Sequence, residues 1–185
     1  YNPLNTSEIL TNSKNGKLDP FFKNKNKTLK IINVGRFTEQ KDQITILKAI
    51  NLIKDKINLR ALIIGQGVEK KRLLNYIQKN NLKNKIKIRG FMKNPYGVIK
   101  QSDIFILSSK YEGLPNVLLE ALVLNKFIIS TDCPTGPKEI LLRGKGGALF
   151  DIGDYKNLSN KIIYYLKKKN QTKKRRCLNG IKKKF

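Results

Sequence analysis

Two carboxylates, Glu112 and Glu120, bracket the stretch Gly113-Leu114-Pro115-Asn116-Val117. Carboxylate oxygens are strong acceptors for sugar hydroxyls. Gly113, the preset φ of Pro115 and an Asn116 suited to a helix cap predict that a helix opens here. Its positive end would present backbone N–H groups to a diphosphate. Glu112 then sits on the loop before that helix and Glu120 about one turn inside it, both able to face one crevice. Acidic residues are also favoured at ordinary helix starts, so the pair alone leaves a surface reading open. Upstream, Val34-Gly35-Arg36-Phe37-Thr38-Glu39-Gln40-Lys41 ends a strand and supplies two cations. The planar fork of Arg36 and the point charge of Lys41 could neutralise phosphates and stabilise a departing diphosphate. Either could instead make a surface ion pair.

Other chemistries are excluded by what is missing. The chain has no histidine, which removes Ser-His-Asp and Cys-His catalysis. Cys133 and Cys177 lie far apart with no C-x-x-C spacing, so neither a zinc site nor a disulfide framework is indicated. Reduced thiols in a cytoplasmic setting are expected. No D-x-D pair is present. The formal charge of +26 comes from 39 Lys and Arg against 13 Asp and Glu. Of the 39, 32 are Lys and only 7 Arg, beside 20 Asn. Bidentate phosphate and base recognition favours Arg, so no nucleic-acid partner is expected. A coding bias spread over a solvated surface is the simpler reading, with peripheral attraction to an anionic membrane as the alternative.

The elements that must position these residues are legible as alternating patterns. Leu29 to Val34, Leu59 to Ile64, Ile86 to Ile88, Ile104 to Leu107 and Phe127 to Ser130 read as short, fully apolar strands. Between them run helical stripes: Ile44, Leu47, Ile50 and Ile53, then Leu73, Leu74, Ile77 and Leu82, then the segment from Val117 to Leu124. Such alternation predicts an α/β fold, a Rossmann-like doubly wound parallel sheet with helices on both faces. Gly35, Gly65, Gly67, Gly90 and Gly113 fall at or just past strand ends, on the side where such folds bind ligands. Each could also be a plain turn residue. Residues 1–28, polar and broken by Pro3, Gly16 and Pro20, read as a linker or loosely packed lead-in segment. Residues 29–169 form the folded domain, ending in an amphipathic helix over 156–169. Residues 170–185 are expected to be a basic tail or a crossover helix.

In combination these pieces resemble the C-terminal domain of retaining glycosyltransferase family four, of the two-domain GT-B architecture. The matching pieces are Tyr1-Asn2-Pro3, Val34-Gly35-Arg36 with Gln40-Lys41, Ile63-Ile64-Gly65-Gln66-Gly67, Gly90-Phe91, and Ser102 through Ser109. Glu112-Gly113-Leu114-Pro115-Asn116-Val117-Leu118-Leu119-Glu120-Ala121 completes the core of the likeness, followed by Thr131-Asp132 and Pro137-Lys138-Glu139-Ile140. The resemblance implies transfer of a sugar from a nucleoside diphosphate donor to an acceptor hydroxyl with the anomeric configuration kept. It assigns Arg36 and Lys41 to the diphosphate, Glu112 to the sugar hydroxyls and Glu120 to the ribose. The amides from Gly113 to Asn116 would line sugar and phosphate, and residues near Phe91 and Met92 would flank the base. The resemblance also implies no metal cofactor, and because the leaving phosphate helps deprotonate the acceptor in that family, Glu112 is expected to bind rather than attack. Thr131-Asp132-Cys133-Pro134-Thr135-Gly136-Pro137 departs from the glycine-rich pattern of many relatives and resembles members that build surface polysaccharides with hexose or N-acetylhexosamine donors.

The resemblance implies a missing partner as well. The chain starts without Met and reads as a piece of a longer protein whose N-terminal, acceptor-binding domain lies elsewhere. The isolated chain is then expected to bind donor and transfer little. A cytoplasmic location, peripheral to the inner face of the cell membrane, is the matching expectation.

Overall fold

Stiff β-branched side chains pack well on a pleated surface, and the runs of Ile and Leu become strands. Leu29–Val34 (β1), Leu59–Ile64 (β2), Ile86–Arg89 (β3), Ile104–Leu107 (β4), Phe127–Thr131 (β5) and Ala148–Phe150 (β6) pair in parallel. Their order is β3-β2-β1-β4-β5-β6. The computed structural model describes residues 4–23 and 28–182, with side chains to residue 169. Tyr1-Asn2-Pro3 and the side chains of 170–185 lie outside the described residues. The doubly wound sheet expected from the sequence is the one found, with β6 as an addition.

Seven α-helices are found among the described residues: Thr6–Asn15 (α1), Gln43–Ile53 (α2), Lys70–Lys79 (α3), Tyr96–Gln101 (α4), Asn116–Val123 (α5), Pro137–Ile140 (α6) and Tyr155–Lys182 (α7). They cover both faces of the sheet. One core packs α2, α3 and α7 through Ile46, Ile50, Ile77, Leu158 and Ile162. The other packs α1, α4 and α5 through Ile9, Val98, Ile99, Leu118 and Ala121. The stripe predicted over 156–169 is the first part of a helix whose backbone continues to Lys182. Tyr165 of that helix stacks on Phe127 with ring centroids 4.6 Å apart, and the Lys169 ammonium pairs with Asp103.

The lead-in segment is not loosely packed over residues 4–23. Ile9 and Phe22 are buried, and the Asp19 carboxylate receives both Nε and Nη2 of Arg89, at 2.7 and 3.1 Å. That guanidinium holds the Asp19 carboxyl below its usual pKa. Gly16 lies against Gly97 of α4 so closely that a Cβ on it would stand 2.8 Å from the Gly97 nitrogen. A few apolar anchors and one ion pair fix a segment whose overall polarity hides its packing.

Candidate functional site

The site begins where the sheet comes apart. β1 and β4 pair only through Ile31 with Ile104 and Ile32 with Phe105. Beyond that, the buried Asn33 side-chain amide donates to the Ile106 carbonyl at 2.9 Å, spanning the strands as they diverge. The strand order reverses here, and such a switch point opens a crevice beyond the carboxyl ends of the strands.

The loop leaving β1 carries Gly35, Arg36 and Lys41, and its path is set from β2. Gly65 and Gly67 adopt φ values of +155° and +150°. A Cβ on Gly65 would lie 1.9 Å from the Gly35 carbonyl oxygen, and one on Gly67 would lie 2.3 Å from that of Phe37. Both glycines therefore have a packing reason: they let the β1 loop lie flat on the β2 loop, where Phe37 N–H donates to the Gln66 carbonyl at 2.8 Å. Phe91 and Met92 follow β3, two strands from β1; Phe91 is exposed and Met92 is half-buried against the core.

The loop leaving β4 locks onto the β1 loop through five contacts, one of them an exposed ion pair of Lys110 with Glu39 at 2.7 Å. Ser108 Oγ donates to the Lys41 carbonyl at 2.8 Å, and Lys110 N–H donates to the Gln40 carbonyl at 2.8 Å. Gln40 Nε2 donates to the Tyr111 carbonyl at 2.9 Å. Lys41 Nζ lies 2.6 Å from Glu112 Oε1, with side-chain exposures of 17% and 7%. The same oxygen accepts the Ser109 hydroxyl at 2.6 Å. A third loop, after β5, braces the second: Thr131 Oγ1 donates to the Ser109 carbonyl at 2.7 Å, and the Thr135 hydroxyl donates to the Glu112 carbonyl. Gly136, at φ +89°, leaves no room for a Cβ, which would stand 2.5 Å from the Gly113 oxygen.

The predicted residues divide into paired and open groups. Lys41 and Glu112 come together, across 71 positions of sequence. Arg36 is exposed, and its guanidinium has no partner among the described residues. Gly113 is exposed, and a Cβ there would meet no atom within 4 Å. Neither a positive φ nor packing against the described residues requires glycine at 113. Leu114 is exposed; Val117 packs against the core. Leu114 and Gly113 line an open recess of about 460 Å³ with Thr135, Gly136 and Glu139.

One expectation needs correction. The helix starts at Asn116 and Pro115, with φ −76°, holds the cap position, with no side-chain capping bond. Asn116 N–H donates to the Leu114 carbonyl at 2.9 Å, so the turn made by Pro115 already directs the chain into the helix. Inside α5, Glu120 is half-buried, and burial pushes its carboxyl pKa up; a hydrogen bond from Tyr96 opposes the shift. Tyr96 is delivered by the first turn of α4, its N–H held by Asn94 Oδ1 at 3.1 Å. Ser109, Thr131, Thr135 and Tyr96 were not singled out as site residues from sequence. Ser109, Thr131 and Thr135 sat inside recognisable motifs, whereas Tyr96 carried no signal.

Fold and crevice define the class: a Rossmann-like domain of the GT-B type, with its crevice at the β1–β4 switch. The sequence profile of the glycosyl transferases group 1 matches residues 16–184, and the chain belongs to that family. It is 46% identical over 111 residues to an uncharacterized glycosyltransferase of Methanocaldococcus jannaschii, covering 60% of this chain and 27% of that protein. It is 32% identical over 122 residues to a Campylobacter jejuni N-acetylgalactosaminyltransferase named for a diphospho-undecaprenol-linked acceptor, covering 66% of this chain and 33% of that one. The chain thus spans about a third of the curated relatives it matches. Among solved structures, Anabaena HepE in complex with UDP superposes with a TM-score of 0.70 at 21% identity, covering 76% of this chain and 39% of that one. The pneumococcal O-GlcNAc transferase GtfA in complex with UDP and GlcNAc gives 0.71 at 21%, covering 76% and 29%. No helix among the described residues is long and apolar enough to cross a membrane.

Proposed function

We propose that this chain is the donor-binding half of a retaining glycosyltransferase. It holds a nucleoside diphosphate hexose or N-acetylhexosamine while the sugar passes to an acceptor hydroxyl in polysaccharide or lipid-linked glycan synthesis. The observation that carries the reading is the Lys41–Glu112 pair, set 2.6 Å apart at the strand switch beside a glycine whose missing side chain would meet none of the described residues. A cation for phosphate and a carboxylate for hydroxyls stand side by side there, as a sugar joined to a diphosphate demands. Arg36 supplies the second cation. Glu120 offers a half-buried acceptor to the ribose, and Phe91 and Met92 flank the base.

In this reading charge on the departing diphosphate is met by Arg36, Lys41 and the positive end of the α5 dipole, without a metal. Glu112 orients the sugar and forms no bond to it; the leaving phosphate takes the acceptor proton. The relatives are about three times as long as the matched segment, and a GT-B cleft lies between two domains. The acceptor site is therefore assigned to an N-terminal domain, and the chain alone binds donor without appreciable transfer. The C. jejuni relative's lipid-linked acceptor supports a site of action at the inner face of the membrane, reached by peripheral contact.

Isothermal titration calorimetry with UDP, GDP and ADP tests this. UDP is expected to bind with a dissociation constant of roughly 0.1–1 mM, weakened about tenfold by Arg36→Ala. Absence of heat with all three nucleotides at millimolar concentration would refute the donor site.

A further inference from the structure

We infer that Ser109 is a positioning residue for the donor sugar: its hydroxyl fixes one oxygen of Glu112 so that the other is presented to a sugar hydroxyl. This rests on the donor-site reading above and assigns a division of labour within it.

The geometry is specific. Both side-chain donors found on the Glu112 carboxylate, Lys41 Nζ and Ser109 Oγ, converge at 2.6 Å on Oε1, and no hydrogen bond to Oε2 is found among the described residues. Oε2 is thus the acceptor left for a ligand. The two donors differ in kind. Lysine has a long, flexible stem and a charge that a diphosphate attracts, so donor binding draws Lys41 toward phosphate. Ser109 has a single χ angle, is fully buried, and sits on a backbone whose carbonyl is tied to Thr131. When Lys41 turns to the phosphates, Ser109 remains on Oε1. Without it, the three χ angles of Glu112 would have to be ordered by the sugar itself, at a cost to affinity. Its influence therefore falls on the sugar and leaves the nucleotide alone.

The measurement is the ratio of affinities for a UDP-sugar and for UDP, taken by calorimetry on the full chain with UDP-glucose and UDP-N-acetylgalactosamine. The unaltered chain is expected to prefer at least one sugar nucleotide over UDP. Ser109→Ala should cut that preference by about fivefold to tenfold, as expected for one hydrogen bond to a charged group, while UDP affinity stays within about twofold. Ser109→Thr, which keeps the hydroxyl, should restore most of the preference. A Ser109→Ala chain that loses UDP and UDP-sugar affinity in equal measure has suffered a general structural loss, and the assignment fails. It fails equally if the preference is unchanged, or if the unaltered chain binds UDP and shows no preference at all. Should the alanine chain not fold, Ser109→Cys, close in volume and a weaker donor, takes its place under the same criteria. No binding of UDP to the unaltered chain sinks the donor site itself, a result distinct from these.

Discussion

The two ends of the Glu112–Glu120 segment carry the same side chain under opposite regimes. Glu112 stands on a loop that two neighbouring loops hold from outside, and its partners are a cation and a hydroxyl. Glu120 stands within a helix, is held by burial, and has Tyr96 as its hydrogen-bond donor. The first is governed by charge and geometry, the second by desolvation. A carboxylate for reading a neutral hydroxyl beside a diphosphate benefits from a nearby cation that offsets the repulsion between them. One that meets a ribose farther from the phosphates can be tuned by its surroundings alone.

Removing the charge from the first end should cost most. Glu112→Ala leaves the Lys41 ammonium, only 17% exposed, without its partner. A loss of about 2–3 kcal/mol in unfolding free energy and at least tenfold in UDP-sugar affinity is expected from urea denaturation and calorimetry. If stability is unaffected, the pair is as inconsequential as an exposed salt bridge and the contrast collapses.

The second end should respond in the opposite sense. A carboxyl whose folded pKa is raised binds more protons in the native state. Stability then falls as pH rises from its unfolded value near 4.5 through the raised folded value, and the cost persists above it. Glu120→Gln removes that cost. Its melting temperature at pH 7.5 should exceed the parent's by no more than about 3 °C, a gain that disappears below pH 4. UDP affinity should fall about fivefold to tenfold for want of the ribose acceptor. A loss of stability at pH 7.5 would place Glu120 with Glu112 and erase the distinction.

The smallest effect sharpens the comparison further. Tyr96→Phe deletes the donor that opposes the burial shift, raising the Glu120 pKa further. UDP affinity should fall about twofold to threefold on the acid side, and the deficit should shrink as rising pH ionises Glu120 in both chains. A pH-independent drop would mean that Tyr96 acts by packing.

Much of this architecture was legible in the chain. β1, β2 and β4 end where their apolar runs end, because β-branched runs of that length bounded by Gly or Ser permit little else. β6 was not, since Ala148-Leu149-Phe150 is too short to show a period. Helix α1 was hidden by its polarity; only Ile9 among its apolar residues is buried. At the site, Glu112 and Lys41 were identifiable as chemistry but their pairing was not, because it joins loops separated by most of the first three βα units. The strand-end glycines were visible as glycines. Which serve packing, as Gly65 and Gly67 do, and which face open space, as Gly113 does, depended on neighbours from other strands.

The short ladder between β1 and β4 bears on more than where a ligand fits. Among the described residues, the strands are joined there by two residue pairs, one asparagine amide and the bonds between Lys30 and Asp103 at the opposite end. A donor gripped by Arg36 on one half and by Glu112 on the other would fasten that join from above. Its binding free energy would then appear as resistance of the halves to separation, growing with the logarithm of donor concentration once the site is filled. Substrate supply would set how long this fold lasts as well as how often it is occupied.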